Sequence, residues 1–202
     1  MPTMIDMFSG MGGASEAFIR AGWEVIRLDN NPVFSDPESE HYVDNTLFVD
    51  LKKQQLTGVE GGVDFLWASP PCYEFSLAYS APRSIAMREG KEYEPDLSLL
   101  KATVEMIDTI KPKYWVVENV AGAKKYFNPI LGNPVVSLGA YHLWGKIPPC
   151  TFVNDPTHKK SIAGDKYRWH PLRSNYRAKI PMWLSRQFLN AVEGQKQLTE
   201  WL

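Results

Sequence analysis

The chain has 202 residues, 44% of them hydrophobic, and this length suits one domain that buries roughly 70% of its unfolded surface around a single core. Its two cysteines, Cys72 and Cys150, and the absence of paired Cys/His spacing exclude a disulfide framework and support no metal site. No basic and apolar leader follows Met1, and no apolar run approaches the roughly 20 residues of a membrane span. These features predict a cytoplasmic protein.

The net charge of −1 hides two oppositely charged halves. Residues 1–108 contain 8 Lys and Arg against 18 Asp and Glu, whereas residues 109–202 contain 14 against 5, so the two halves carry −10 and +9. Between Lys124 and Arg186 the basic residues are interleaved with aromatic ones. This mixture favours a polyphosphate partner, although a solvated loop region without a partner would have the same composition.

Short apolar runs alternate with helical patterns along the chain. Five of these runs predict strands, at residues 4–8, 24–28, 47–49, 64–68 and 114–117. Strands this short and this apolar are typical of a mostly parallel sheet that is covered on both faces. The sequence therefore predicts an α/β protein.

Two helices are predicted from the spacing of apolar residues. The first covers residues 96–110, with Asp96 as its cap, Pro112 after its end, and one apolar face formed by Leu97, Leu100, Val104 and Ile107. The second begins near Ile180 and ends before Gly194, with an apolar face formed by Leu184, Phe188 and Val192. No regular element is predicted between Ile130 and Ile180.

A glycine cluster, Gly10, Gly12 and Gly13, follows the first predicted strand. Glycines at such a turn allow the backbone to approach a ligand closely. Asp29 lies at the end of the second predicted strand, where a carboxylate can accept hydrogen bonds from both hydroxyls of a ribose. The spacing alone describes a dinucleotide site as well as a site for another nucleoside.

Cys72 follows the predicted strand at residues 64–68 and stands behind Pro70 and Pro71, which fix the turn and remove two backbone donors. Covalent catalysis needs a thiol that is presented rigidly in this way, whereas a lone cysteine is more often a small apolar core residue. A second chemical group, the carboxylate of Glu118, ends the strand-like segment YWVVENV at residues 114–120.

Three motifs, DMFSGMGG at residues 6–13, SPPCYEFS at residues 69–76 and ENV at residues 118–120, together resemble the DNA cytosine C5 methyltransferase family. RAKIPMWLS at residues 177–185 adds to this similarity. The resemblance implies a doubly wound, Rossmann-like methyltransferase fold that uses S-adenosylmethionine, with a short irregular basic C-terminal region. It further implies that residues 1–130 form the catalytic core, and that residues 131–202 form a DNA-contacting region and closing helix of the same domain.

The implied activity is methyl transfer to C5 of a cytosine that is flipped out of the DNA helix. Cys72 would supply a thiolate that adds to C6 and thereby makes C5 nucleophilic; with a free-thiol pKa of about 8.5, a few per cent is ionised at neutral pH. Glu118 would protonate N3, which calls for a carboxyl pKa raised by desolvation. Asn119 would orient Glu118 or brace the cysteine loop, and Cys150 is predicted to be structural.

The resemblance also implies which residues contact the cofactor. Asp29 would hold the ribose, Asp50 the adenine amine, and Gly10 and Gly12 the methionine portion, with Phe8 against the adenine or the methionine portion. The other residues expected at this site are Asn30, Leu51, Pro70, Ser98 and Leu99.

The segment that precedes the C-terminal helix departs from the family. It contains no QxRxR motif, and residues 150–176 are too short for the usual target recognition domain, as in small phage-type members. Contacts to DNA must then come from other residues, and the candidates are Ser76, Lys159, Lys160, Arg168, Arg173 and Arg177. Two alternatives remain open, an RNA cytosine C5 methyltransferase and a catalytically silent nucleic-acid-binding subunit that needs a protein partner. The expected setting is a bacterial or phage-infected host cell.

Overall fold

The computed structural model describes residues 1–53, 62–155 and 167–199, with side chains as far as Gly194. Its described strands are β1 Thr3–Met7, β2 Glu24–Asp29, β3 Thr46–Phe48, β4 Phe65–Ala68, β5 Tyr114–Asn119, β6 Val136–Leu138 and β7 Tyr141–Lys146. They form one sheet in the order β3-β2-β1-β4-β5-β7-β6. The first five strands are parallel, and β7 runs antiparallel to both β5 and β6. The predicted α/β class with a doubly wound, mostly parallel sheet is confirmed.

Seven α-helices are described in the same parts of the chain. They are α1 Glu16–Arg20, α2 Pro32–Ser35, α3 Pro82–Arg88, α4 Ser98–Ile110, α5 Lys124–Leu131, α6 Arg173–Ala178 and α7 Met182–Thr199, and a 3₁₀ turn at Ala121–Ala123 precedes α5. Among the described residues, no helix combines the length and the apolar character that crossing a membrane requires.

The helices bury both faces of the sheet. On one face Phe18 of α1 and Phe188 of α7 stack on Phe65 of β4, with ring centroids 5.2 and 5.7 Å apart. On the other face α4 and α5 cover a second apolar cluster that includes Leu66 and Phe127. Because side chains alternate along a strand, a strand buried on both faces is mostly apolar, which explains the short apolar runs in the sequence.

The predicted helix at residues 96–110 is confirmed as α4, with a small rotation of its buried face. Its first turn is held by Asp96, whose Oδ1 accepts a hydrogen bond of 2.8 Å from the backbone N of Ser98. The buried residues are Leu100, Thr103, Met106 and Ile107. Thr103 can be buried in place of a hydrophobic residue because its hydroxyl donates to the Leu99 carbonyl oxygen.

The predicted C-terminal helix is confirmed as α7, but its predicted end is wrong. Leu184, Phe188 and Val192 are fully buried as expected. The helix nevertheless continues through Gly194 to Thr199. A glycine is compatible with a helix interior at a moderate cost, so it does not by itself end a helix.

The prediction that residues 131–180 lack regular structure is wrong, because β6, β7 and α6 lie there. β6 and β7 form a hairpin in which Leu138 pairs with Tyr141, so that Gly139 and Ala140 are the turn. Gly139 has a φ of 58°, which favours glycine at the first turn position. A Gly-X pair between two apolar runs was therefore the sequence signal for this hairpin. The hairpin extends the sheet beyond residue 130, into the segment expected to be irregular.

Candidate functional site

The three sequence motifs meet at one edge of the sheet. The glycine turn follows β1, the cysteine loop follows β4 and the ENV segment ends β5, and these three parallel strands are neighbours in the order β1-β4-β5. The strand order reverses between β1 and β4, because β2 and β3 lie on the far side of β1. The carboxyl ends of strands at such a reversal are where open α/β sheets bind their ligands.

The cysteine loop, residues 69–76, is held by hydrogen bonds at both ends. The backbone N of Ser69 donates to the Met7 carbonyl oxygen of β1 at 3.2 Å. The Cys72 carbonyl oxygen accepts from the backbone N of Phe75 and of Ser76, at 3.1 and 2.9 Å, which closes a tight turn. Cys72 is partly exposed in this turn, whereas Cys150 lies after β7, where desolvation raises the pKa of its thiol.

The ENV segment contacts the cysteine loop directly. Asn119 is 1% exposed, and its Nδ2 donates a 2.9 Å hydrogen bond to the carbonyl oxygen of Pro70. A second close approach follows at Gly122, where an added Cβ would lie 2.0 Å from the Phe75 carbonyl oxygen. The two segments are therefore fixed relative to each other by a hydrogen bond from Asn119 and by the close approach at Gly122.

Glu118 lies on the opposite face of β5 from Asn119 and is only 6% exposed. The antiparallel register places Leu143 of β7 directly across from it. The structure thus brings a partly exposed thiol and a buried carboxyl group to the ends of adjacent strands.

The glycine turn after β1 has an unusual backbone. Phe8 and Gly10 have φ values of 59° and 48°, in the left-handed region. This conformation is strained for Phe8, because its Cβ crowds the backbone there, whereas glycine has no Cβ. Asp29 stabilises the turn, since its Oδ2 accepts from the backbone N of Gly10 at 2.8 Å and its Oδ1 accepts from Asn31 at 2.9 Å. Burial raises the pKa of Asp29, and these backbone hydrogen bonds oppose the rise.

A buried polar network beneath the turn was not predicted from the sequence. Ser15 Oγ donates to Asp6 Oδ2 at 2.6 Å and accepts from Arg27 Nε at 2.9 Å. Arg27 also donates to the Gly12 carbonyl oxygen at 3.1 Å, and a Cβ on Gly12 would lie 2.6 Å from its guanidinium. Burial raises the pKa of Asp6 to about 6. Gly12 is thus in contact with Arg27, a residue that no motif points to.

The other predicted cofactor residues surround the turn. Phe8, Leu51 and Leu99 belong to one apolar cluster on the α4 face, and Pro70 is buried beside it. Asn30 is exposed after β2. Asp50 lies after β3, where a hydrogen bond from Lys53 lowers the pKa of its carboxyl group. These residues lie in the loops that follow β1, β2, β3 and β4 and at the start of α4.

Two buried hydroxyl groups in this region fit a bound nucleoside. Ser9 Oγ in the glycine turn and Ser98 Oγ at the start of α4 are buried without a hydrogen-bond partner among the described residues. Buried hydroxyls normally have a partner, so a polar ligand is the natural means of satisfying them. Together with the half-buried carboxyl group of Asp29 and the apolar cluster, they fit S-adenosylmethionine, which has ribose hydroxyls, an amino acid portion and an adenine ring.

The predicted substrate residues lie in two places. Ser76 is one turn from Cys72, and its Oγ accepts from the backbone N of Ala78. Arg168 is exposed, with its guanidinium 5.0 Å from the ring centroid of Trp169, and Arg173 and Arg177 are at the two ends of α6. Lys159 and Lys160 lie outside the described residues.

The segment that carries the three arginines packs beside the glycine turn. Tyr167 and Tyr176 stack with ring centroids 3.9 Å apart, and His170 packs edge-on against Tyr176 and against His41, which precedes β3. Asn175 Nδ2 lies 3.6 Å from where a Gly10 Cβ would stand. This segment therefore contacts the part of the edge where the cofactor residues are gathered.

The comparisons with known proteins agree with this site. Residues 2–132 match the sequence profile of the C-5 cytosine-specific DNA methylase family. The type II methyltransferase M1.HphI of Haemophilus parahaemolyticus is 31% identical over 130 residues, which cover 59% of this chain and 32% of that protein. A protein of Frog virus 3 named "Probable DNA (cytosine-5)-methyltransferase" is 29% identical over 152 residues, which cover 70% of this chain and 65% of that protein.

A crystal structure of Spodoptera frugiperda DNMT2 aligns with 72% of this chain and 50% of its own, at 18% identity and a TM-score of 0.41. The matched region spans about a third of the length of M1.HphI and of the type II methyltransferase M.DdeI of Desulfomicrobium norvegicum. The profile match covers more than half of the chain and includes all three motifs of the site. The chain belongs to the C-5 cytosine-specific DNA methylase family.

Proposed function

We propose that this chain transfers a methyl group from S-adenosylmethionine to C5 of cytosine in DNA, through a covalent bond between Cys72 Sγ and C6 of the base. The observation that carries the proposal is the hydrogen bond from Asn119 to Pro70, because it joins the cysteine loop to the strand that bears Glu118. A thiol and a buried carboxyl group are thereby held at the ends of adjacent strands, beside a group of residues that would fit a bound nucleoside.

Cys72 is the nucleophile in this proposal. As its thiolate forms a bond to C6, the C5–C6 double bond shifts to C4–C5 and the electron pair of the C4–N3 double bond moves to N3. N3 then takes a proton from Glu118. C5 is now an enamine carbon and can attack a methyl group carried by a sulfonium; the bond between sulfur and the methyl carbon breaks, and its electron pair would stay on the sulfur as a neutral thioether. Loss of the C5 proton to water then restores the ring, breaks the bond to Sγ, and returns the N3 proton to Glu118.

The position of Glu118 supports its role as the proton donor, since its carboxyl group is only 6% exposed and lies at the end of the strand next to the one that leads into the cysteine loop. Asn119 is a positioning residue that holds the loop through Pro70. In these assignments Glu118 donates the proton from one face of β5, and Asn119 positions the cysteine loop from the other face.

S-adenosylmethionine, when bound, supplies a methyl group on a positively charged sulfur. We propose that Asp29 accepts the ribose hydroxyls, that Phe8, Leu51 and Leu99 line the adenine, and that Asp50 reaches its amine. Gly10, Gly12 and Pro70 would border the methionine portion, with Asn30 at the rim. The unpartnered hydroxyls of Ser9 and Ser98 support this placement and are additional ligands for the same molecule.

DNA is the proposed substrate, and the base would have to leave the duplex because C6 of a stacked cytosine is shielded from a thiol. Ser76 would meet the strand near Cys72, and Arg168, Arg173, Arg177, Lys159 and Lys160 would bind phosphates. A free thiol at the centre of the site suits the reducing cytoplasm of a bacterial or phage-infected cell. A partner protein would supply sequence recognition if the chain alone reads little sequence.

The test is incubation of the purified chain with methyl-labelled S-adenosylmethionine and either duplex DNA or RNA, followed by nucleoside analysis. We expect label in 5-methyldeoxycytidine, and we expect loss of at least 10³-fold in rate for Cys72→Ser, in the range for removing a nucleophile. Cys150→Ser is the matched control and should remain active. Label only in RNA would establish the RNA enzyme instead, and the absence of any methylation with intact cofactor binding would favour the silent subunit.

A further inference from the structure

We infer that Tyr93 is a positioning residue for Cys72, because its hydroxyl group holds Glu74 and thereby the turn that presents the thiol. The inference rests on the proposed function, since it concerns how the nucleophile is held in place for the base. Glu74 lies in the cysteine loop and Tyr93 lies in the segment between α3 and α4. Neither residue was assigned a role from the sequence.

The contact is a hydrogen bond between residues that are 19 positions apart in the sequence. Tyr93 Oη donates to Glu74 Oε2 at 2.5 Å, and the backbone N of Asp96 donates to the same oxygen at 3.4 Å. The side chains of Glu74 and Tyr93 are both half-buried. Burial and the hydrogen bond to Glu74 raise the pKa of the Tyr93 hydroxyl, which keeps it protonated as a donor. Glu74 is therefore held from the segment that precedes α4.

Glu74 lies inside the turn that begins at Cys72. The Cys72 carbonyl oxygen accepts from the backbone N of Phe75 and of Ser76, so Glu74 is within the ring that these two hydrogen bonds close. A residue in the middle of a hydrogen-bonded turn has little freedom to move independently of the residue that opens the turn. A contact at Glu74 therefore restrains the backbone of Cys72, two residues before it.

Other contacts restrain the two ends of the cysteine loop. Asn119 holds Pro70 near the start of the loop. Near its end, the Phe75 ring packs against two aromatic residues of α5, with ring centroids 5.8 and 5.0 Å apart. The hydrogen bond from Tyr93 to Glu74 acts between these two contacts, at the middle of the turn.

The segment that carries Tyr93 is itself anchored beside proposed cofactor residues. Pro95 is buried and fixes the backbone between Tyr93 and Asp96. Asp96 Oδ1 accepts from the backbone N of Ser98, whose hydroxyl is a proposed cofactor ligand. Asp96 Oδ2 accepts from Lys52 Nζ after β3, but this ion pair is about half exposed and adds little. The thiol and the start of α4 are thereby positioned relative to the same segment.

The chemical consequence is a fixed position of Cys72 Sγ. In the proposed reaction the thiol must reach C6 while C5 of the same base faces the methyl group, and a misplacement of about 1 Å can lower a rate by about 100-fold. Without the Tyr93 hydroxyl, the turn keeps its other contacts but samples a wider range of positions. The loss should thus appear in the rate of methyl transfer and not in the affinity for the cofactor.

The first measurement is backbone hydrogen exchange by NMR, which needs no catalytic activity. The amides of Phe75 and Ser76 report on the turn, because both donate to the Cys72 carbonyl oxygen. Tyr93→Phe should speed their exchange by roughly tenfold, the lower end expected for losing a hydrogen bond to a charged group, and should leave exchange in β1 and β4 unchanged. Tyr114→Phe, which removes a hydroxyl at the start of β5, is the matched control and should change neither. Unchanged exchange of the two turn amides in Tyr93→Phe would overturn the inference.

Single-turnover methylation separates a positioning role from a structural one. We expect Tyr93→Phe to lower the rate by about 10- to 100-fold, with the affinity for S-adenosylmethionine within twofold, and Tyr114→Phe to keep the full rate. Glu74→Gln keeps an oxygen that can accept from Tyr93 and should retain most of the rate, whereas Glu74→Ala should be about as slow as Tyr93→Phe. Because Tyr93 acts through Glu74, the variant that combines Tyr93→Phe with Glu74→Ala should be no slower than Glu74→Ala alone.

A full rate in Tyr93→Phe, or losses that multiply in the double variant, would overturn the inference. Should Tyr93→Phe fail to fold, Glu74→Gln and Glu74→Ala make the same comparison from the other partner, and equal rates in these two variants would overturn it. A wild-type chain without methyl transfer would overturn the proposed function, whereas the exchange of the Phe75 and Ser76 amides would still decide whether Tyr93 holds the turn.

Discussion

At the scale of single residues, Asp29 stabilises the glycine turn and is also the proposed ligand of the ribose. Both of its carboxyl oxygens accept backbone hydrogen bonds, from Gly10 and Asn31, so it shapes the glycine turn before any ligand binds. Each carboxyl oxygen can accept a second hydrogen bond, and these remain for ribose hydroxyls. The residue is therefore preorganised for its proposed partner.

Asp29→Asn should weaken S-adenosylmethionine binding by about 1 to 3 kcal/mol, the range for losing hydrogen bonds to a charged group. Because burial raises the pKa of Asp29, protonation removes the charge at a higher pH than for an exposed aspartate. Wild-type affinity should accordingly fall as the pH drops toward that pKa, and the affinity of Asp29→Asn should not. Calorimetry across pH checks both, with the exposed Asp36→Asn as control. Unchanged affinity in a folded Asp29→Asn chain would mean that the ribose is held elsewhere.

Asn119→Ala should destabilise the chain by about 1 to 3 kcal/mol, because it leaves the buried Pro70 carbonyl oxygen without its donor. Asn133→Ala, which removes an exposed hydrogen bond to Asn128, should change stability by less than about 0.5 kcal/mol. Urea denaturation measures both. If Asn119→Ala were as stable as the wild-type chain, the stability of the cysteine loop would not depend on Asn119.

The sequence was enough to predict the candidate chemical groups of the site, but not all of the residues that hold the surrounding backbone in place. Cys72 and Glu118 were each predicted at the end of a strand, because motifs and apolar runs are local features of the chain. Arg27 was not predicted, since its importance comes from a contact with Gly12, which is distant in sequence. Such contacts become visible only when the strand order and register are known.

At the scale of elements, the glycine turn and the C-terminal segment are packed too closely for a side chain between them. A Cβ on Gly13 would lie 2.3 Å from the Ile180 carbonyl oxygen, just before α7. α7 is further joined to the region after the turn by Ser185, whose Oγ donates to the Ala14 carbonyl oxygen at 2.6 Å. The first and last parts of the described chain thus form one packing unit.

Gly13→Ala should therefore destabilise the protein by more than about 1 kcal/mol, since a backbone atom must move to make room. Gly194→Ala is the matched control, because no atom lies within 4 Å of the added Cβ and the residue is inside α7. It should stabilise the protein by about 0.5 to 1 kcal/mol through helix propensity. Thermal denaturation of the two variants should move the transition in opposite directions, and a shift in the same direction would be evidence against this packing.

The elements differ in how well the sequence predicted them. The five parallel strands and α4 were recognisable because each carries a continuous apolar run or a clear helical period. The β6-β7 hairpin was missed because β6 has three residues and β7 places His142 and Lys146 among its apolar residues. β7 is specified by pairing with β5, and β6 by pairing with β7, and an apolar pattern within either strand does not reveal these pairings.

At the scale of the whole molecule, the opposite charges of the two halves favour a nucleic-acid partner on the basic side. Binding that rests on phosphate contacts carries no sequence information directly, so a chain of this size should recognise a short or degenerate site. The arginine-bearing segment packs beside the glycine turn, so DNA bound there would pass close to the cofactor.

Replacing Lys159 and Lys160 by alanine should flatten the dependence of log K on log salt by up to about two units, since each phosphate contact contributes about −0.9. Lys111→Ala with Lys113→Ala, which lie before β5 at the opposite edge of the sheet, should leave the slope unchanged. Fluorescence anisotropy with labelled duplex DNA over a range of salt concentrations measures both. An unaltered slope in the first variant would place the phosphate contacts elsewhere.

The measurement that tests the central claim most directly is capture of the covalent intermediate. Duplex DNA that contains 5-fluorocytosine retains the adduct after methyl transfer, because fluorine at C5 cannot leave as a proton. With S-adenosylmethionine present, intact-mass analysis should show one DNA strand per chain, and peptide mapping should locate the bond at Cys72. Cys150→Ser should form the same adduct and Cys72→Ser none. Methylation of ordinary DNA without any adduct, or an adduct located at Cys150, would contradict the account.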